Sequence, residues 1–99
     1  CKVAGIGAVG DLARGRAAFM VDSTRRCSLA QAIHLANVSA DAGALWFEEP
    51  INESDVDAYE VLARNARIAI ATGEAWHSLS EAQVFMSRKL CSIVQPDLF

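Results

Sequence analysis

Apolar runs that end in an acid alternate along this chain with stretches whose apolar residues fall three and four apart. The clearest run, 44–47, reads Ala, Leu, Trp, Phe, leads into Glu48 and Glu49, and stops at Pro50. Proline has no N–H to give to a ladder, so a strand ends there. A continuous apolar run bounded by a breaker predicts a strand buried on both faces, as in a parallel sheet covered by helices. The run 17–21 ends likewise in Asp22, 68–73 in Glu74, and 92–96 in Asp97.

Helical spacing fills the gaps. Ser28 with Gln31 three residues on predicts a capping box, each side chain satisfying one orphan N–H of the first turn. Leu29, Ala32, Ile33, Ala36 and Ala40 then give one apolar face, and Gly43 suits the position just past the helix end. A second helix is expected to start from a cap at Asn52 or Ser54, with Val56, Tyr59 and Leu62 inward. A third follows a capping box of Ser78 and Glu81. Leu79, Ala82, Phe85 and Met86 form its buried face, and Arg88 and Lys89 complement its dipole. At the front, glycine-punctuated residues 2–7 read as a strand end running into a loop, and 11–16 as one or two helical turns.

Strand and helix thus alternate three times before a last strand, which predicts an α/β fold of βαβ units with parallel strands and right-handed crossovers. An open doubly wound sheet is the alternative, but no glycine-rich phosphate loop accompanies it. A closed TIM-type (β/α) barrel explains more, because it gathers the C-terminal ends of successive strands around one mouth. A complete barrel takes about 250 residues. Residues 1–99 therefore read as one partial barrel domain, about half of a barrel and truncated at both ends.

Composition narrows the partners. The 53% hydrophobic content is ample for a core, and a net charge of −3 argues against nucleic acid or an anionic membrane. No apolar run approaches the ~18–20 residues of a membrane helix. Three cysteines without metal-ligand spacing read as reduced thiols, hence a cytoplasmic protein.

The acids carry the chemistry. Asp22, Glu48 and Glu74 lie 26 residues apart, and Asp97 follows 23 later. One acid at a strand end usually caps the next helix. Four at a near-constant period, each after a buried run, exceed that reading, and three neighbouring carboxylates at one mouth would repel unless protonated or bridged by a cation. With oxygen ligands only, Mg²⁺ is favoured over zinc.

The motifs Val21-Asp22, Trp46-Phe47-Glu48-Glu49-Pro50, Thr72-Gly73-Glu74 and Gln95-Pro96-Asp97 resemble the barrel domain of the enolase superfamily, in particular its mandelate racemase and sugar-acid dehydratase branch. That resemblance implies a (β/α)7β barrel with Asp22, Glu48 and Glu74 as Mg²⁺ ligands and Glu49 in a structural role. It implies that Asp97 orients a histidine from the next strand, beyond Phe99, where another branch carries a lysine. It implies that Lys2, matching the second half of a Lys-x-Lys motif, is a catalytic base. The pattern departs from the family at Thr24, where asparagine is common, and at Ala75, where many dehydratases have histidine. His77 could reach the mouth from its loop, although a solvated loop histidine is the default, and His34 reads as surface. Arg25 and Arg26 could meet a substrate carboxylate or phosphate, although a solvated pair is the default before a helix.

The function implied is Mg²⁺-dependent abstraction of the proton α to a carboxylate through an enediolate, leading to dehydration of an aldonate or aldarate. Racemisation, epimerisation or cycloisomerisation within the same superfamily is the alternative, and a non-catalytic barrel fragment is the alternative of another class. The partners expected are a small carboxylate substrate and, at full length, further copies of the chain.

Overall fold

The computed structural model describes residues 4–96; Lys2 and Asp97 lie outside them. Four strands and four helices alternate: α1 (Ala4–Ala13), β1 (Val21–Asp22), α2 (Leu29–Asp41), β2 (Trp46–Glu48), α3 (Val56–Asn65), β3 (Ala69–Thr72), α4 (Leu79–Ser87) and β4 (Ile93–Val94). The sheet is parallel throughout, in the order β1-β2-β3-β4. A doubly wound sheet reverses its order at a switch point. Here each strand pairs with the next in sequence, as the wall of a barrel does.

Alternation along each strand sorts the side chains onto two faces. Val21, Phe47 and Ile70 are register partners, and all three pack with the helices. Ala32, Leu35 and Ala36 of α2, Tyr59 and Leu62 of α3, and Phe85 of α4 complete that core. The Tyr59 ring meets Phe85 edge-on, with centroids 4.9 Å apart.

The caps explain where the helices begin. Ser28 and Gln31 form the reciprocal capping box expected of them. α3 is capped by Asp55, whose carboxylate accepts the Ala58 N–H at 3.1 Å, and not by Asn52 or Ser54. The Asn52 side-chain oxygen is already taken by the Ser54 N–H and hydroxyl, which folds those residues into a turn before the helix. Ser78 caps α4, but the Glu81 carboxylate turns to the N–H of His77, so the box does not close. Of the expected α4 face only Phe85 is buried and Ala82 half-buried; Leu79 and Met86 are exposed. Arg88 reaches sideways to Glu60 and Asp57 of α3 instead of complementing its own helix end.

The largest departure is at the front. Residues 4–13 form a helix, not a loop followed by a turn. Each glycine costs an isolated helix about 1 kcal/mol, and packing overrides that cost here. A Cβ on Gly10 would stand 2.5 Å from the Ala42 carbonyl oxygen, so glycine is what lets α1 approach the end of α2. Cys91 is a free thiol. No helix among the described residues is long and apolar enough to cross a membrane.

Candidate metal centre at the strand ends

The C-terminal ends of the four parallel strands share one edge of the sheet, and the acids stand there. Asp22 and Glu48 are register partners on β1 and β2. They therefore point to the same face, opposite the helix-packed side chains of Val21 and Phe47. Asp22 is exposed and Glu48 half-buried. Glu48 is also in register with Ala71, so Glu74 lies three residues farther along than the even spacing implies. It follows Gly73 beyond the end of β3, and its carboxylate is 3.2 Å from the Arg25 guanidinium. The strands thus bring Asp22 and Glu48 side by side and leave Glu74 drawn to Arg25. Among the described residues no three His, Cys, Asp or Glu stand close enough to hold a metal ion.

Beneath this edge a polar network ties the strand ends together. Glu49 is fully buried, on the helix side. Its carboxylate accepts the Thr72 hydroxyl and the Gly73 N–H, each at 3.2 Å, and faces Arg25 Nη1 at 3.5 Å. The Tyr59 hydroxyl closes the network from α3, donating to the Ile51 carbonyl at 3.0 Å and lying 3.4 Å from the Thr72 hydroxyl. Burial pushes the Glu49 carboxyl above its ordinary range, with Glu53 adding to the rise, while Gly73, Thr72 and Arg25 draw it back. Burial alone would lower the Arg25 pKa, but Glu53, Glu49 and Glu74 outweigh it and raise it.

The loop after β1 is tightly turned. The Thr24 N–H bonds Asp22 Oδ1 at 2.8 Å, and Ser23 Oγ donates to the carbonyls of Glu49 and Pro50. Arg25, which the sequence offered as a contact for a substrate carboxylate or phosphate, faces the protein's own carboxylates Glu49, Glu53 and Glu74. Arg26 is exposed, as is His34 on α2. His77 is exposed and lines a cavity of about 420 Å³ with Asn52, Glu53, Trp76 and Glu81.

The donor chemistry of Asp22, Glu48 and Glu74 fits a hard divalent cation, oxygen ligands without sulfur or imidazole. The Arg25 guanidinium already supplies positive charge to the third of them.

Residues 2–99 match the family model for the enolase C-terminal domain-like proteins. Over 80 residues the chain is 34% identical to D-galactarolactone cycloisomerase of Agrobacterium fabrum, covering 81% of this chain and 21% of that one. Over 79 residues it is 30% identical to L-talarate/galactarate dehydratase of Salmonella typhimurium, covering 80% and 20% respectively. It therefore spans about a fifth of the length of these relatives. The crystal structure of 3,6-anhydro-D-galactonate cycloisomerase from Zobellia galactanivorans superposes with a TM-score of 0.87 at 28% identity, over 96% of this chain and 27% of that one. A racemase from Streptomyces coelicolor with bound magnesium shares the fold, with a TM-score of 0.88 at 24% identity over 96% and 28% of the two chains. The partial barrel wall, the acids at its strand ends and these matches agree: the chain belongs to the enolase C-terminal domain-like family.

Proposed function

We propose that this chain supplies the acidic rim of an Mg²⁺-dependent active site that removes the proton α to a carboxylate, and that the full-length enzyme dehydrates a polyhydroxy acid of the aldarate class. The observation that carries this reading is the register of Asp22 with Glu48 at the strand ends, with Glu74 beyond the next strand. The substrate class rests on the two relatives of 30% identity or more, which act on galactarolactone and on talarate and galactarate.

Asp22, Glu48 and Glu74 would hold the ion. When bound, magnesium supplies a Lewis acid that offsets charge developing on the substrate carboxylate. The chain's own groups do the rest. Lys2 Nζ takes the α-proton, because an amine near other positive charge is easier to deprotonate. Asp97 orients the group that serves the opposite face of the substrate. Glu49, held by Thr72 and Gly73, fixes the backbone on either side of Glu48 and Glu74. The roles of Lys2 and Asp97 rest on the motifs they match.

A second reading is cycloisomerisation of an aldarate lactone, favoured by the 34% identical relative. Full-length protein incubated in D₂O with Mg²⁺ and a panel of aldonic, aldaric and lactone substrates separates the two. Dehydration yields a 2-keto-3-deoxy acid. Cycloisomerisation rearranges the lactone without loss of water, and racemisation exchanges C2 hydrogen with the hydroxyls intact. Reaction of dipeptides or muconate lactones alone would refute the use of Asp97 to assign the branch. We propose that the full-length enzyme is a cytoplasmic homo-oligomer, the compartment resting on three cysteines without the spacing of a disulfide framework. Light scattering of the purified protein tests the assembly; fractionation of the source cells tests the compartment.

A further inference from the structure

Arg25 gathers three carboxylates from two different loops. Its Nη1 lies 3.2 Å from Glu74 Oε1 and 3.5 Å from Glu49 Oε2, and its Nε lies 4.0 Å from Glu53 Oε2. The backbone is bent to put it there. Thr24 and Arg25 both adopt the left-handed region, with φ of 51° and 65°, and Glu49 opposite them has φ of 49°. Such conformations are uncommon for residues with a Cβ, and they cluster where position matters more than comfort. The Arg25 N–H locks the corner by donating to the Glu49 carbonyl at 2.6 Å.

We propose that Arg25 is an exchangeable counter-cation for the third acid. It holds Glu74 while no divalent ion is bound, and it releases Glu74 when one arrives. This rests on the reading of Glu74 as a ligand. The geometry makes exchange feasible because the three contacts differ in kind. Glu49 is wholly buried and Glu53 mostly so, whereas the Glu74 side chain is 56% exposed. Guanidinium and a divalent ion would repel each other at one carboxylate, so they compete for Glu74. On release, Arg25 keeps Glu49 and Glu53, and its charge is never stranded. The contact given up is an exposed ion pair, the kind whose loss changes an equilibrium by about two- to five-fold. Arg25 is then a positioning residue that keeps the acids from repelling one another before metal binds and sets how tightly the ion is held afterwards.

Calorimetric titration of Mg²⁺ into metal-free full-length protein tests the exchange. Removing Arg25 alone would leave Glu49 buried and unpaired, so Arg25→Gln is made in a Glu49→Gln background and compared with Glu49→Gln alone. Mg²⁺ affinity is expected to tighten by about two- to five-fold on loss of the competing cation. A merely structural arginine gives unchanged or weaker affinity, and either result overturns the exchange. Failure of the folded wild-type protein to bind Mg²⁺ removes the ligand reading and the exchange together. Wild-type binding that Arg25→Gln leaves unaltered removes the exchange alone. Should the double variant not fold, the Arg25 guanidinium ¹⁵N resonance of wild-type protein carries the test. It shifts as Mg²⁺ is added, and a resonance unmoved at saturation overturns the proposal.

Discussion

The buried carboxylate of Glu49 accepts the backbone N–H of Gly73 at 3.2 Å, and that bond fastens the end of β2 to the end of β3. The same oxygen takes the Thr72 hydroxyl. Replacing Glu49 with Leu would leave the Gly73 N–H buried without a partner, at a cost of about 1–3 kcal/mol, and the Thr72 hydroxyl with only the Tyr59 oxygen at 3.4 Å, at a smaller one. We expect Glu49→Leu to destabilise the full-length protein by about 2–4 kcal/mol. Urea unfolding followed by circular dichroism measures this. A Leu variant as stable as wild type would show that the network contributes nothing.

Glu49→Gln keeps an acceptor for both donors and removes the charge, so its effect should depend on pH. Burial, then Glu53, raises the folded pKa of Glu49 above its ordinary 4.5. Between those two values the folded state binds more protons than the unfolded state, so this group's contribution falls as pH rises. Below the ordinary value both states are protonated and the pH dependence vanishes. Glu49→Gln abolishes the loss. Its stability relative to wild type should therefore increase as pH rises from 4.5 through the folded pKa and stay level above it. A constant or falling difference across that range would mean that Arg25, Thr72 and Gly73 outweigh burial.

What the chain disclosed by pattern alone was the set of elements after α1 and the acids at the strand ends. The alternation of apolar run and helical stripe is a local signal, and so is the Ser28–Gln31 box, which formed as written. Competition between neighbouring polar groups was not legible. Nothing in the order of Asn52, Ser54 and Asp55 says that the first two bond each other and leave the third to cap α3. Register was not legible either. Asp22, Glu48 and Glu74 are evenly spaced in sequence, yet Glu48 pairs with Ala71 and not with Glu74. Equal spacing counts residues in loops and helices as well as in strands, so it fixes the period of the repeat but not the height of each acid. The partners of Arg25 were hidden for a third reason. Glu49 and Glu74 are 24 and 49 residues away from it, and only the folded corner brings them within reach.

Gly73 places Glu74, and a methyl group there has nowhere to go. Its φ is +134°, and a Cβ would stand 3.0 Å from the Trp76 ring and 3.1 Å from the Gln95 backbone nitrogen. Strain of this kind costs about 1–3 kcal/mol. Backbone on both sides, tied by the Gly73 N–H to Glu49 and by the Gln95 N–H to the Thr72 carbonyl, restricts relaxation. Gly73→Ala is expected to lower the unfolding free energy by about that amount and to weaken Mg²⁺ binding, read by thermal denaturation and calorimetry. Unchanged values in both would mean that the turn relaxes freely.

The last prediction concerns Glu48, the acid shared by both register pairs at the mouth. It is half-buried on the face opposite the core. Glutamine preserves its shape and removes its charge, so the fold should survive, whereas a metal ligand should not. A ligand that binds only the folded state stabilises it by RT ln(1 + [L]/Kd), about 2.7 kcal/mol at a hundredfold excess over Kd. Wild-type full-length protein should therefore melt at a higher temperature in Mg²⁺ than in a chelator. Glu48→Gln should melt near the wild-type chelator value in both, and its turnover should be abolished. Glu60→Gln is the control. Its carboxylate pairs with Arg64 and Arg88 on the helix layer, so loss of that charge should leave the Mg²⁺-dependent shift intact. If Glu48→Gln kept both the shift and near-normal turnover at saturating Mg²⁺, Glu48 would not be a ligand. The in-register pair with Asp22 would then be a structural acid pair at a strand end.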